Sequence, residues 1–479
     1  MIKHVSVKPS YLEAKKRSNN KVKILTDEYI MTNELSKIGI GKKYHVITYG
    51  CQANERDSET ISAILEDMSF EKVDNMEDAD LILLNTCAIR ENAHNKVFGM
   101  LGRIKHLRES KPNIITCLCG CMAQEESVVN EIEEKYKWMD VVFGTHNIQN
   151  LPKLISDAIN DNELIIEVFS KEGDVVENLP VKRENKYKAY VNIMYGCDKF
   201  CTYCIVPYTR GKQRSRKLED IKCEVQKLIN DGYKEVTLLG QNVNAYGKDL
   251  DDGVTMDKLL EEIAKMNIER VRFVTSHPWD FSDEMINVIR DYPNVMPYIH
   301  LPLQSGSNKI LKLMGRRYTK EEYLNLANKI KKEIPNVSLT TDIIVGFPNE
   351  TEEDFMETLN VVEECKYDSA FTFIYSPREN TPAAKMEDCI SLEEKQERLQ
   401  RLNEVVNKYA LINTKKLEGK VVPVLIEGKS EKGNDLYAGY TDTMKLVNVK
   451  CDENDIGNII NVKITEAKTW SLNGEKVDG

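Results

Sequence analysis

The stretch Met194-Tyr195-Gly196-Cys197-Asp198-Lys199-Phe200-Cys201-Thr202-Tyr203-Cys204 decides how this chain is read. Its C-x3-C-x2-C spacing puts three thiols on one short loop, with no fourth ligand in the run. A closed structural zinc site takes four ligands, so zinc fits this loop poorly. A cubane iron–sulfur cluster fits better, because three irons can take cysteine while the fourth stays open to a substrate. The competing reading is three free cysteines buried as small hydrophobes, which leaves the spacing unexplained.

Charge gathers around this loop. Between Val181 and Lys217, ten Lys and Arg stand against two acids, Glu184 and Asp198. A solvated basic rim and a seat for a phosphate-bearing substrate both account for such a run. Its place beside the cysteines favours the phosphate, with Arg210, Arg214 and Arg216 as candidate holders. The whole chain carries a net charge of −11, which argues against non-specific nucleic-acid binding.

At 479 residues, 41% hydrophobic and 30% charged, the chain is expected to hold about three domains, since single cores rarely exceed ~250–300 residues. No apolar run approaches the ~18 residues of a membrane span. Met1 to Asn20 is polar and basic and lacks the apolar core of a secretory signal, so a cytoplasmic protein without a membrane partner is expected. Twelve cysteines in such a chain point to metal ligation before disulfides.

Residues 1–42 read as a polar extension, including the run Lys15-Lys16-Arg17. From Lys43, strands and helices alternate, the pattern of a parallel sheet. Strands are predicted at Tyr44–Tyr49, Asp80–Asn85 and Asn113–Leu118, with helices from about Glu55, Arg90 and Gln124. Cys51, Cys87 and Cys121 each fall just beyond the carboxyl end of one strand, and in an open parallel sheet those ends line one crevice. They form a second candidate three-cysteine site. Cys117 belongs to the third strand, and Cys119 competes with Cys121 as the ligand, although Cys121 lies further out on the loop.

Residues 43–160 are thus one domain and 161–182, with Glu172-Gly173, a linker. From 183 to 415, strands at Lys188–Met194, Glu235–Leu239, Arg270–Thr275, Pro297–Leu301, Ser338–Val345 and Ser369–Tyr375 predict a partial barrel of six β/α units. Its active loops lie at the carboxyl-terminal rim. Those loops carry Gln241-Asn242, Ser276-His277-Pro278, Gln304-Ser305-Gly306-Ser307 and Gly346-Phe347-Pro348, ahead of a helix capped by Glu350–Asp354. His277, His300 and Asp342 read as hydrogen-bonded structural groups, and Cys223, Cys365, Cys389 and Cys451 as ordinary thiols. Residues 416–479 show four short strands, Val421–Ile426, Leu436–Gly439, Lys445–Val449 and Ile459–Ile464, the pattern of a small antiparallel barrel of a kind that binds oligonucleotides. The fold class is α/β: an open parallel sheet, a partial barrel and a small β-barrel.

The cysteine loop with Tyr203 before its last cysteine resembles the radical S-adenosylmethionine (SAM) superfamily. With Tyr49-Gly50-Cys51-Gln52-Ala53-Asn54, Asn85-Thr86-Cys87-Ala88-Ile89-Arg90-Glu91, Gly120-Cys121-Met122-Ala123-Gln124, Cys204–Gly211, Leu238–Asn244 and Tyr375-Ser376-Pro377-Arg378, the chain resembles the methylthiotransferases from Tyr44 to about Trp470. The resemblance implies a radical SAM core and a C-terminal TRAM domain that engages RNA. It implies two 4Fe–4S clusters, one on Cys197, Cys201 and Cys204 and one on Cys51, Cys87 and Cys121. Tyr203, Gln304, Ser305, Gly346 and Pro348 are expected to shape the SAM pocket, and no catalytic side chain is implied beyond the cluster ligands. The implied reaction is methylthiolation at C2 of isopentenyl (dimethylallyl) adenosine beside the tRNA anticodon. One SAM serves as source of a 5′-deoxyadenosyl radical and a second as methyl donor. Implied partners are such a tRNA, an electron donor such as flavodoxin or ferredoxin, and a sulfur source; a monomer is expected.

Two positions depart from the family pattern. Ala53 stands where Met is common, and Tyr440 stands where an Arg usually follows Gly439, which puts the strength of RNA binding in question. Related enzymes that modify threonylcarbamoyl-adenosine or a ribosomal-protein aspartate share the cysteine motifs, although Thr237–Gly247 and Tyr208–Arg216 resemble the isopentenyl-adenosine branch more closely. A non-catalytic iron–sulfur or RNA-binding protein is the reading from a different class. A simple electron carrier fills every iron with cysteine, whereas each site here offers three.

Overall fold

The computed structural model describes residues 2–4, 9–17, 26–88, 91–169, 175–433 and 435–477. The chain forms two compact units, one of residues 1–184, 194–200 and 204–216, the other of 185–193, 201–203 and 217–479.

Among the described residues, the first unit is built on a seven-stranded parallel sheet. Its spatial order is Ile2–His4, Leu164–Glu167, Val141–Phe143, Ile115–Gly120, Leu81–Thr86, Lys43–Tyr49 and Glu71–Lys72. Leu81–Thr86 and Ile115–Gly120 are buried at every position, as central parallel strands covered on both faces must be. The period-2 alternation of a strand divides their side chains between two cores. Ile82, Leu84 and Leu118 pack with Val97 and Leu101 of the helix Glu91–Ser110, while Leu83, Cys117 and Cys119 pack with Ile61 and Ile64 of the helix Gln52–Asp67. The three strands predicted to end in cysteines are therefore present, shifted by no more than two residues. Ile89 and Arg90, at the start of the second predicted helix, lie outside the described residues.

Two expectations need correction here. The region 1–42, read as an extension, supplies the edge strand Ile2–His4, paired with Leu164–Glu167, and the strand Thr26–Glu28, paired with Val175–Glu177. The region 161–182, read as a linker, supplies the partners of both. Strands this short carry no alternation of their own, and long-range pairing alone defines them. Glu172 and Gly173 lie outside the described residues.

In the second unit, Lys188–Asn192, Glu235–Leu239 and Arg270–Phe273 form one parallel sheet, and Tyr298–His300, Ser338–Val345 and Ser369–Ile374 another. These are the six expected strands of the partial barrel, except that the first ends at Asn192. Met194, expected as its last residue, instead pairs together with Tyr195 against Arg214–Ser215, antiparallel, in the first unit. The helix Glu352–Cys365 starts at the predicted place, where Thr351 and Asp354 form a capping box.

The C-terminal segment closes into a five-stranded barrel, ordered Val421–Lys429, Tyr437–Thr441, Leu446–Lys450, Leu472–Lys476 and Ile459–Ala467, around Val424, Ile426, Val447, Val462 and Leu472. Leu472–Lys476 is a strand beyond the four expected, hidden because Leu-Asn-Gly-Glu-Lys holds a single large apolar residue. The same unit docks this barrel on the β/α core. Arg270 donates to the carbonyls of Tyr440 (2.9 Å) and Pro423 (3.0 Å), and Arg272 to those of Asp442 (2.6 Å) and Thr441 (2.8 Å). The ammonium of Lys188 lies 5.0 Å from the centre of the Tyr440 ring. Tyr440, standing at the family's Arg position, thus serves this docking. Among the described residues, no helix is long and apolar enough to cross a membrane.

Candidate functional site

The first site grows from three strand ends. Cys51 follows Lys43–Tyr49 and caps the helix Gln52–Asp67, Cys87 follows Leu81–Thr86, and Cys121 follows Ile115–Gly120. A buried polar network ties these ends together, and nothing in the sequence pattern announced it. The Asn54 amide donates to Asn85 Oδ1 (3.1 Å) and the Thr86 carbonyl (3.3 Å). Asn85 returns a bond to the Asn54 carbonyl (2.8 Å) and one to Ser58 Oγ (2.9 Å), and the Thr86 hydroxyl donates to the Cys119 carbonyl (2.8 Å). Gly120 has φ +96°, and an added Cβ would stand 2.3 Å from the Thr86 carbonyl oxygen. Only glycine lets the chain turn so close beside Cys87.

The electrostatics of the three thiols differ. A hydrogen bond from Cys87 lowers the Cys51 thiol to about 5 against the opposing effect of burial, with the charge of Arg210 and the helix N–H groups assisting. Burial raises Cys121, opposed by Arg210, whose Nε donates to its Sγ at 3.1 Å. Cys117 and Cys119 are buried in the apolar core, which pushes both well above the ordinary thiol range. The structure therefore brings Cys51, Cys87 and Cys121 together and leaves Cys117 and Cys119 as core residues.

The three candidate phosphate-holding arginines need correction. Each is no more than 7% exposed. Arg210 Nη2 bonds Asp57 at 2.7 Å, Arg216 makes a bidentate pair with Glu177 (2.8 and 2.7 Å), and the Arg214 guanidinium lies 6.0 Å from the Tyr195 ring centre. The sequence shows their charge but not its direction, and these guanidinia point into the fold. Asp57 and Glu177 are the missed partners.

The C-x3-C-x2-C loop is shared out between the two units. In the first, Gly196 has φ +74° with its Cβ direction filled by the Lys212 carbonyl at 2.1 Å, and the Cys197 N–H donates to the Gly211 carbonyl at 3.1 Å. Cys204 precedes the short helix Val206–Thr209. In the second, Arg316, buried, donates to Cys201 Sγ at 3.6 Å and to the Pro302 carbonyl at 3.0 Å. Thr202 is pinned by its N–H to the Met314 carbonyl and its hydroxyl to the Leu313 carbonyl. Tyr203 packs edge-on against Phe347, 6.5 Å between ring centres.

The remaining candidates lie on the second unit's loops. Gln304 has φ +70° and donates its N–H to the Asp342 carbonyl at 2.8 Å. Ser305 is fully buried against Thr358, as a loop anchor. The Gly346 N–H donates to Glu350 at 2.7 Å, and Pro348 follows in the same turn. His277 accepts from the Trp279 N–H, and His300 pairs with Asp342 at 3.2 Å and with Thr340 at 3.0 Å.

Among the described residues, no three His, Cys, Asp or Glu converge on one metal ion. A cubane makes a different demand, since each cysteine binds its own iron. Soft thiols at separate strand ends, one already favouring thiolate and another receiving a guanidinium N–H, fit that demand.

Three family models match the chain: the radical SAM superfamily over 191–362, the uncharacterized protein family UPF0004 over 43–144 and the TRAM domain over 415–477. Fold and cysteine motifs together define a radical SAM protein with an N-terminal cysteine-bearing sheet and a C-terminal TRAM barrel. The sequence is 57% identical over 476 residues to the tRNA-2-methylthio-N(6)-dimethylallyladenosine synthase of Bacillus cytotoxicus, covering 99% of this chain and 93% of that one. It is 55% identical over 474 residues to the protein of that name from Bacillus subtilis, again covering 99% and 93%. The chain belongs to this MiaB family of radical SAM methylthiotransferases. A solved radical SAM methyltransferase, TsrM from Kitasatospora setae with cobalamin and an iron–sulfur cluster bound, aligns at TM-score 0.49 and 12% identity over 72% of this chain and 77% of that one.

Proposed function

We propose that this protein installs a methylthio group at C2 of N6-dimethylallyl (isopentenyl) adenosine beside the anticodon of tRNA. The observation that carries the reading is likeness over 99% of the chain to relatives named for that product. The target C–H is neither acidic nor electrophilic, so side-chain acid–base chemistry cannot open it and a cofactor must. We assign Cys197, Cys201 and Cys204 to one 4Fe–4S cluster that binds SAM, and Cys51, Cys87 and Cys121 to a second that carries sulfur. When bound, these groups supply one-electron cleavage of one SAM, methyl transfer from a second, and the sulfur itself.

The chain's own residues bind and orient. The Asn54–Asn85 network fixes the three strand ends, so the thiols keep their spacing before a cluster arrives. The bond from Cys87 and the charge of Arg210 lower the Cys51 thiol, which favours the ligating thiolate. The hydrogen bonds of Thr202 hold Cys201 and Tyr203 against the barrel, and the Tyr203–Phe347 contact, with Gln304, Gly346 and Pro348, offers a wall for SAM. The TRAM barrel, docked through Arg270 and Arg272, is the surface assigned to tRNA. A flavodoxin- or ferredoxin-like electron donor and a sulfur source complete the reaction.

The test is anaerobic loading with iron and sulfide, then addition of reductant, SAM and isopentenylated tRNA, with nucleosides read by mass spectrometry. A methylthio mass gain on the isopentenyl adenosine is expected. SAM cleavage without that gain, together with a gain on threonylcarbamoyl-adenosine tRNA, overturns the substrate.

A further inference from the structure

Arg210 is a positive charge sealed inside the first unit, and its guanidinium serves two acceptors of different kinds. Its Nη2 meets Asp57 at 2.7 Å, and its Nε–H donates to Cys121 Sγ at 3.1 Å. The two charged side chains are only 8% and 9% exposed. Asp57 belongs to the helix Gln52–Asp67, the helix that Cys51 caps. The carboxylate that aims the guanidinium is thus built on the element that places another cysteine of the set. Around Cys121 the packing is apolar, with Ala88, Ile205 and Tyr208 in contact. Burying an ion pair among such neighbours carries a large desolvation cost for each ion, and an apolar replacement of similar volume would pack as well. Packing therefore does not account for the pair, whereas the sulfur it touches does.

We propose that Arg210, oriented by Asp57, is a positioning residue that fixes the Cys121 thiolate and, through its Nε–H···S bond, makes the cluster on Cys51, Cys87 and Cys121 easier to reduce. The inference rests on the reading that those cysteines hold a cluster. Hydrogen bonds to ligand sulfur draw electron density away from iron, and they are among the factors that set cluster potentials. Asp57 offsets part of the charge of Arg210, and the directed N–H acts on the sulfur together with the charge that remains. No bond forms or breaks at Arg210. The corresponding Arg316–Cys201 contact is longer, at 3.6 Å, so the donor effect is weaker there.

The test uses the full-length chain with Cys197, Cys201 and Cys204 replaced by Ala, so that any cluster sits on the N-terminal set. After anaerobic loading, iron content and a reductive titration followed by electron paramagnetic resonance are compared with and without Arg210→Gln and Arg210→Lys. Arg210→Gln is expected to lower the reduced-to-oxidised ratio about tenfold at a fixed potential, a shift of about 59 mV for one electron. Arg210→Lys keeps a cationic donor and falls between. An unchanged midpoint in Arg210→Gln at full iron content overturns the inference. A background chain that takes up no iron sinks the cluster reading itself, and the inference with it.

Discussion

Cys119 and Cys121 stand two residues apart, and burial raises both thiols, but Cys121 also receives the N–H of Arg210. Cys119 lies on the face of Ile115–Gly120 that also carries Cys117, inside a core with Ile61, Ile64 and Phe143, where burial keeps its thiol protonated. Gly120 then turns the chain, so that Cys121 leaves the strand's alternation and meets Arg210. Cys121→Ala is expected to halve the iron of the reconstituted protein, from about eight to about four per chain, as one cubane is lost. Cys119→Ala is expected to leave iron unchanged and to cost roughly 1–2 kcal/mol of stability through the emptied core volume. Iron assay with urea denaturation separates the two. Iron loss in Cys119→Ala with none in Cys121→Ala would make Cys119 the ligand.

Elements differed in how much of themselves the sequence exposed. Leu81-Ile82-Leu83-Leu84 is an apolar run closed by Asn85, Thr86 and Cys87, and a strand buried on both faces can hardly read otherwise. The cysteine positions followed from it, because a strand's end fixes where the next residue emerges. Ile2–His4, Thr26–Glu28 and Leu472–Lys476 stayed hidden because their strand character comes from partners distant in sequence. Arg210 was legible as a charge near the cysteines and illegible as a partner of Asp57, since 153 residues separate the two. The helix Glu352–Cys365 is the opposite case: Thr351 and Asp354 announced its start, and Asp354 does more than cap. It accepts from Lys309 Nζ (2.7 Å) and from Ser307 Oγ (2.7 Å), tying down the loop that carries Gln304 and Ser305. Burial pushes its carboxyl up, but the bonds from Lys309, the Thr351 N–H and Ser307 outweigh it and hold the group at about 2. A folded pKa below the unfolded 3.8 means that the native state binds fewer protons. The resulting stability is full above about pH 4 and is lost as pH falls through 2. Asp354→Asn is expected to cost about 1–2 kcal/mol at pH 7, as for a lost cap, with the gap to the wild type narrowing between pH 4 and pH 2. Urea unfolding at pH 7 and pH 3 measures it, and a gap that stays constant with pH would show that the carboxylate's charge contributes nothing.

At the scale of the molecule, a chain of net charge −11 offers RNA no general attraction, so the proposed engagement of tRNA by the TRAM barrel needs a local surface, and docking of the barrel would fix where that surface lies. Among the groups that attach the barrel to the β/α core, Lys445 pairs with Asp368 at 3.5 Å. Arg270 and Arg272 donate to four carbonyls of the small barrel, and Glu235, itself buried, lies 2.9 Å from Arg272 Nε. Lys188 adds an ion pair to Glu427 at 2.7 Å and its contact with the Tyr440 ring. Arg272→Met keeps most of the side-chain volume but removes the donor to the Asp442 carbonyl and one of the two donors to the Thr441 carbonyl, which keeps the Met444 N–H, and leaves Glu235 facing Arg270, 3.8 Å away. Breaking a buried pair in this way costs about 3–5 kcal/mol. Lys188→Ala, at a partly exposed site, is expected to cost less than half as much. If docking positions the TRAM barrel for RNA, Arg272→Met should open the chain to protease at the turn around Gly419–Lys420, where the helix Leu392–Lys415 gives way to the barrel. It should also weaken tRNA binding about tenfold while iron content stays at the wild-type level, because no cluster ligand touches the interface. Limited proteolysis, tRNA affinity and iron assay on one preparation give all three readings. Faster cleavage with undiminished tRNA affinity would mean that the barrel binds RNA without being held, and that its docking serves stability alone.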